Sequence, residues 1–379
     1  MATANINTEM LIWARERSGC SVSEFARKFR ITEEKLAEWE SGTKEITFNQ
    51  AMQYANKAHI PFGYLFLDKP PIEKLPIPDL RTVESRELDE ASPELMEVTK
   101  LMLQRQEWYK EYLGQQFSVP CQVVGCFSVD DGIAKIVSDM RQKLSVGLHP
   151  ERGTWEDYYR DLVRRIENNG VLVMRQADLG HHTRPLKVEE FRGFAIVDDL
   201  APIIFVNHAD SPGARLFTLI HELCHIWIGQ SGISDGSPST HRKEEVLCNG
   251  VAAEFLVPES EFKTLWSLSL DDWTDNLVFL EGHFHVSRWV LARRALTLKY
   301  ISSDEYMSFI AEERAKYKKQ SGNGGPTYYK TKQSQISQLF SKAVVSQAMA
   351  GQLLLREAGQ LLGGMKPGNI ANFAEELGI

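Results

Sequence analysis

Ser211-Pro212-Gly213-Ala214-Arg215-Leu216-Phe217-Thr218-Leu219-Ile220-His221-Glu222-Leu223-Cys224-His225-Ile226-Trp227-Ile228 is the stretch that decides how this chain reads. Ser211 suits a helix N-cap and Pro212 suits the first helical position. The residues that follow are apolar nearly all round, which predicts a buried helix. Into that helix the sequence sets His221, Glu222 and His225 in the H-E-x-x-H pattern. Positions i and i+4 of an α-helix share a face one turn apart, so both imidazoles reach one ion at about 2.0–2.1 Å. Glu222 is rotated off the histidine row, yet stays close enough to take a proton from a water beside the ion. Three ionisable groups in such a helix would be costly unless something satisfied them, and a metal does that. The bland alternative is a chance match on a surface helix, which the apolar flanks disfavour. A catalytic zinc usually has three protein ligands and one open position, so a third ligand is expected from a separate element.

Downstream, Lys243 to Val257 reads as a second helix stopped at Pro258. It carries Glu245-x-x-Cys248-Asn249-x-Val251-Ala252-Ala253-x-Phe255-Leu256-Val257-Pro258. Upstream, a β-rich run from Ile203 ends in Asn207, and Phe217-Thr218 precedes the histidines; later come His283-Phe284-His285-Val286-Ser287 and Arg294. In this combination the chain resembles the ImmA/IrrE family of metallopeptidases, over roughly residues 150 to 300. The resemblance implies a zincin-like fold, zinc as cofactor, His221, His225 and Glu245 as ligands, and Glu222 as catalytic base. Glu244 is the neighbour that could serve instead of Glu245; motif register favours Glu245. The chain departs from the family pattern at Cys224, where Gly is usual, and Cys248, where Ala is usual. Both stay small, so close packing of the two helices survives, and the two thiols are expected near one another. His241 reads as a loop histidine. His283 and His285 are candidates for stabilising an oxyanion, against a plainer reading as helix-cap or surface residues.

The 379 residues predict two or three domains. A net charge of −8 gives no hint of whole-molecule affinity for nucleic acid or anionic membranes. The apolar run from Leu216 is too short and too interrupted to span a bilayer. With five cysteines, an odd number, and no signal-peptide pattern at the N-terminus, a cytoplasmic location with reduced thiols and no membrane partner is expected. Cys121 and Cys126 form a lone C-x4-C that is more readily two ordinary thiols than a metal site.

Residues 7 to 69 read as short helices joined by tight turns: Met10 to Arg17, a helix capped by Ser21 with Glu24 completing a capping box, Glu33 to Glu40 capped by Thr32, and Asn49 to Ala58. Ser23-Glu24-Phe25-Ala26, Ile31-Thr32, Trp39-Glu40-Ser41-Gly42 and Ile60-Pro61 make this stretch resemble the helix-turn-helix domain of the XRE (lambda-repressor-like) family. Its presumed recognition helix, Glu33 to Glu40, carries four Glu against one Lys, and residues 1–69 are net neutral with nine basic and nine acidic residues. Promoter DNA and a protein partner both stay open for it.

The expected organisation is α+β: an all-α helix-turn-helix domain (1–69), a proline-rich linker (70–91), a zincin-like metallopeptidase domain (92–319, core 150–300), a Gly-rich linker (320–327) and a helical C-terminal domain (328–379) of two helices. The strand from Ile203 to Val206 is expected to offer an edge to an extended substrate. The resemblance implies limited proteolysis of a cognate regulator, often a helix-turn-helix repressor. The rival is a non-catalytic transcriptional regulator or antitoxin that binds a toxin nuclease encoded nearby.

Overall fold

The computed structural model describes residues 5–71, 74–78, 91–180, 184–234, 242–270, 272–320 and 328–379. They fall into two compact units: one runs to Pro76 and includes residues 91–97; the other holds Ile77, Pro78 and Val98–Ile379. Among the described residues, no helix is long and apolar enough to cross a membrane.

The first unit is helical, with α1 (Thr8–Arg17), α2 (Val22–Phe29), α3 (Glu33–Glu40), α4 (Phe48–Ala58) and a 3-10 turn at Phe62–Phe66. The capping box forms as its spacing predicts. Ser21 N–H donates to Glu24 Oε2 at 2.9 Å, and Glu24 N–H donates to Ser21 Oγ at 3.2 Å. Met10, Leu11, Phe25, Leu36, Trp39, Tyr54 and Leu65 fill the core. One of the four α3 glutamates is not a surface charge. Glu40 is buried, and accepts from Arg15 Nε at 2.8 Å, Arg15 Nη2 at 3.1 Å and the Tyr54 hydroxyl at 2.8 Å. Glu33 and Glu34 remain exposed, and Glu38 is half-buried and accepts from Lys44 Nζ at 3.2 Å.

The second unit is mixed α+β, mostly helical around one small sheet. Its elements are α5 (Pro93–Gln115, which begins in the first unit), α6 (Ile133–Leu144), α7 (Trp155–Asn168), β1 (Leu172–Gln176), β2 (Gly193–Ile196), β3 (Ile203–Asn207), α8 (Pro212–Trp227), β4 (Gly232–Ser234), α9 (Lys243–Leu256), α10 (Glu259–Leu265), α11 (Thr274–Phe284), α12 (Arg288–Thr297), α13 (Ser303–Gln320), α14 (Tyr328–Gln335), α15 (Gln338–Met349), α16 (Leu355–Leu361) and α17 (Ile370–Leu377). The strand order is β1-β3-β2-β4, with β3 parallel to β1 and antiparallel to β2, and β4 antiparallel to β2. β3 is therefore interior and has no free edge, contrary to the expectation that it pairs with substrate. Both its hydrogen-bonding sides are taken, and the edges belong to β1 and β4.

Helix α8 is buried along nearly its whole length, packed on β2 and β3 and against α9. Ser211 stands at its N-cap position, but its hydroxyl makes no capping bond; Pro212 is the first helical residue. Cys224, Cys248 and Ala252 are all fully buried, so small residues let α8 and α9 approach closely. Residues 328–379 form four helices rather than two and belong to the second unit. The Glu167 carboxylate accepts from Gln338 N–H at the start of α15 (3.2 Å to each oxygen), and Arg105 Nε donates to Leu361 O at 3.0 Å. The expected linker at 320–327 lies, but for Gln320 at the end of α13, outside the described residues; the first linker is described only in part.

Candidate metal centre

His221 and His225 project from the same face of α8, and Glu245 meets them from the first turn of α9. Glu245 Oε2 is 3.2 Å from His221 Nε2, Glu245 Oε1 is 3.1 Å from His225 Nε2, and the two Nε2 atoms are 3.3 Å apart. All three side chains are buried, at 2% exposure or less. Donor atoms of a tetrahedral zinc, each at about 2.0–2.1 Å, stand about 3.3–3.4 Å from one another. The spacing and the donor chemistry therefore fit one zinc-sized cation. Glu244 is only half-buried and outside the cluster.

Ser234 of β4 is a fourth polar group that the sequence did not reveal. Its hydroxyl lies 3.3 Å from His221 Nε2 and donates to Glu245 Oε1 at 3.3 Å. A three-residue strand gives too little alternation to be read, which is why β4 and its serine went unseen. Gly193 of β2 was missed too. A Cβ there would stand 2.8 Å from Glu222 Oε1, 2.7 Å from Thr218 Cγ2 and 2.8 Å from the Phe205 carbonyl oxygen. Glycine at this point lets the Glu222 carboxylate sit against the strand, and a lone glycine opening a β-rich run was the available signal.

Glu222 is fully buried; neither carboxylate oxygen makes a hydrogen bond of normal geometry in the protein, and the Ser234 hydroxyl is near enough only to lower its carboxyl pKa. Burial, reinforced by the charge of Glu245, pushes its carboxyl well above the ordinary range. Burial alone would also raise Glu245. The charge and hydrogen bonding of His221, then of His225, outweigh it and hold that carboxyl below its ordinary value. Burial lowers the His225 imidazole, so its neutral, ligating form is favoured. Two adjacent carboxylates are thus pushed apart, one kept ionised as a donor and one biased toward holding a proton, as acid–base pairs are in hydrolases. Burial and the neighbouring Cys224 thiol raise the Cys248 thiol well above its usual value, consistent with the expected proximity of the pair; both cysteines are free.

A cleft opens onto His221 and Glu222, walled by Arg192, Phe217, Thr218, Ser234, Trp289, Arg293 and Tyr306. Neither His283 nor His285 lines it, so neither is placed to stabilise an oxyanion there. His285 is the left-handed C-cap of α11 with its Nδ1 2.7 Å from the Gly153 carbonyl oxygen, and His283 meets Glu261 elsewhere on the unit. Asn207 has a structural part: its amide donates to Phe191 O and its side-chain oxygen accepts from Ala209 N–H, both at 3.0 Å. The Cys121 and Cys126 thiols go separately to the carbonyls of Asn169 and Val123. His241 lies outside the described residues.

Two family models match the chain. Residues 176–296 match the peptidase M78 family, described as an IrrE N-terminal-like domain; the segment holds β2, β3, α8, β4 and α9 and so the whole metal-fitting cluster. Residues 336–376, from just before α15 into α17, match a domain of unknown function, DUF8813. No curated protein matches the chain.

Proposed function

We propose that this protein is a zinc-dependent endopeptidase that acts on a cognate regulatory protein. The observation that carries the reading is the convergence of His221, His225 and Glu245 at 3.1–3.3 Å beside an unpartnered, buried Glu222 at the foot of a cleft. His221, His225 and Glu245 would hold the ion. A bound zinc supplies Lewis acidity, which lowers the pKa of a water and polarises a carbonyl. Glu222 takes the proton of the attacking water on one carboxylate oxygen and delivers it to the leaving amine. The close fit of Gly193 against Glu222 Oε1 fixes where that oxygen stands. Ser234 orients Glu245 through its hydroxyl.

The first unit we read as an XRE-type helix-turn-helix module, on the strength of the α2–turn–α3 arrangement. The exposed Glu33 and Glu34 favour a protein partner over promoter DNA, because their negative charge opposes phosphate contacts by that helix. A helix-turn-helix repressor is the substrate class that this pairing suggests. The test incubates the purified, zinc-loaded full chain with a repressor encoded beside its gene and follows cleavage by mass spectrometry. Cleavage by wild type, lost in Glu222→Gln with zinc retained, supports the reading. Equal regulation in cells by wild type and Glu222→Gln would show that the metal is structural and the protein a non-catalytic regulator.

A further inference from the structure

A second set of metal-ligating side chains converges away from the H-E-x-x-H cluster. His149, in the loop between α6 and α7, and His283, in the last turn of α11, both aim Nε2 at Glu261 of α10. The distances to Glu261 Oε2 are 3.1 Å and 3.0 Å. The imidazole centroids are 4.6 Å apart, and the Phe284 ring stands edge-on to both, 5.7 Å from His149 and 4.7 Å from His283. The three ligand atoms all lie within 4.8 Å of one another.

The hydrogen positions on His149 follow from its other nitrogen. Nδ1 is 3.1 Å from the Pro150 carbonyl oxygen, which can only accept, so the hydrogen belongs on Nδ1. A neutral His149 then turns a bare Nε2 lone pair toward a carboxylate oxygen at 3.1 Å. Two electron-rich atoms hold that distance only with positive charge between them, whether the proton of an imidazolium or a bound cation. A backbone carbonyl on the far nitrogen is also the usual way a metal-ligating histidine is oriented. Arg141, whose charge reaches Glu261, donates to the carbonyl oxygens of Leu148, Glu254 and Phe255 and is not a counter-ion in contact.

We propose that His149, Glu261 and His283 form a second divalent-metal site, selective for a borderline transition ion of the zinc type. Two imidazoles and one carboxylate are ligands that suit zinc and its neighbours rather than magnesium or calcium, which prefer all-oxygen sets. The side chains are 21%, 26% and 32% exposed, so an ion enters from solvent without unfolding. No acid–base group like Glu222 stands among the three, so this ion is a staple rather than a second catalyst. It joins the loop before α7 to α10 and to the end of α11, four residues before Ser287, the N-cap of α12. α12 supplies Trp289 and Arg293 to the cleft, so the staple steadies one cleft wall. The inference is independent of the proposed peptidase activity, because it concerns other ligands.

The test measures zinc by mass spectrometry in the full chain after loading and exhaustive dialysis. Wild type is expected to hold about two equivalents, as two three-ligand sites imply. His225→Gln/Glu245→Gln, with the first cluster disabled, should keep one, and adding His149→Gln and His283→Gln should remove it. Zinc should raise the melting temperature of the two-substitution protein and leave that of the four-substitution protein unchanged. If the two-substitution protein fails to fold, His149→Gln/His283→Gln alone decides: one equivalent instead of two supports the site. Zinc content unaltered by those two changes overturns it, as does wild type that binds only a single equivalent lost with Glu245→Gln.

Discussion

The protein carries the same donor set twice, two histidines and a glutamate, in two different settings. At His221, His225 and Glu245 the side chains are almost completely buried; at His149, His283 and Glu261 they are a fifth to a third exposed. The nitrogen-to-oxygen spacings are nearly equal, 3.1–3.2 Å in the first and 3.0–3.1 Å in the second. Donor geometry therefore does not separate the proposed catalytic centre from the proposed staple. What separates them is the company: the buried set has an unpartnered carboxylate beside it, a cleft above it and one helix fixing both histidines. The exposed set is assembled from a loop and two helices, and none of its three side chains lines the cleft at His221 and Glu222. Burial would also make the first set more dependent on a bound ion, since uncompensated polar groups there have no water to turn to.

The largest effect expected from this contrast is at Glu245. Glu245→Ala should remove the buried cluster's ion and lower cleavage at least as far as losing a general base does, about 10²–10⁴-fold. Glu244→Ala, one residue away on α9 but only half-buried, should keep both zinc and cleavage. Zinc content and turnover of the two variants, measured side by side, check this. Equal zinc in both would remove Glu245 from the ligand set.

The two clusters also differ in how far they could be read in the sequence. His221, Glu222 and His225 are visible because a helix converts a spacing of four into a shared face, and the apolar flanks mark that helix as buried. The helix boundaries of the first unit are equally local: Ser21, Thr32 and Glu24 cap where their side chains can reach. Glu245 needed more than spacing, since Glu244 is equally acidic, and a resemblance supplied the register. The second cluster has no local signature at all. His149 and Glu261 are 112 residues apart, and only the fold brings them together. The same holds for the sheet. That β3 is interior and β4 an edge depends on pairings between distant strands, which no single run of residues encodes. Glu40 was counted as a surface acid of α3 because its partner, Arg15, lies 25 residues away.

A smaller effect tests how tightly the buried cluster is built. Gly193→Ala places a methyl group within 2.8 Å of Glu222 Oε1, Thr218 Cγ2 and the Phe205 carbonyl, and the last is backbone that cannot swing aside. Overpacking of this kind costs about 1–3 kcal/mol. The melting temperature should fall accordingly, and cleavage should fall further than the lost stability explains, because Glu222 is displaced. Gly282 of α11, one residue from His283, is the matched control: nothing lies within 4 Å of a Cβ there. Gly282→Ala should be neutral or stabilising by up to about 1 kcal/mol, as alanine favours a helix interior. A fall in melting temperature at Gly282→Ala equal to that at Gly193→Ala would mean that packing does not distinguish the two regions.

The smallest effect concerns a histidine that faces cations instead of carboxylates. His208 follows β3, with Nε2 3.4 Å from the Tyr159 hydroxyl. Burial, then the charges of Arg215 and Arg175, push its pKa down to about 2. The folded protein thus keeps His208 neutral while the unfolded chain protonates it near its ordinary value of about 6.5. Below that value the unfolded state binds the extra proton, so stability is present above pH 6.5 and is lost as the pH falls. The loss is at most about 1.4 kcal/mol per pH unit, or about 2 kcal/mol between pH 7 and pH 5; partial exposure of the ring reduces it. His208→Gln removes the titrating group and keeps a polar side chain of similar reach. In urea unfolding the variant should therefore lose less stability than wild type over that interval, by up to the same 2 kcal/mol. Parallel pH profiles for the two proteins would show that His208 takes up its proton in the folded state. The arginines would then not hold it neutral, and the contrast with the carboxylate-paired histidines would fail at this residue.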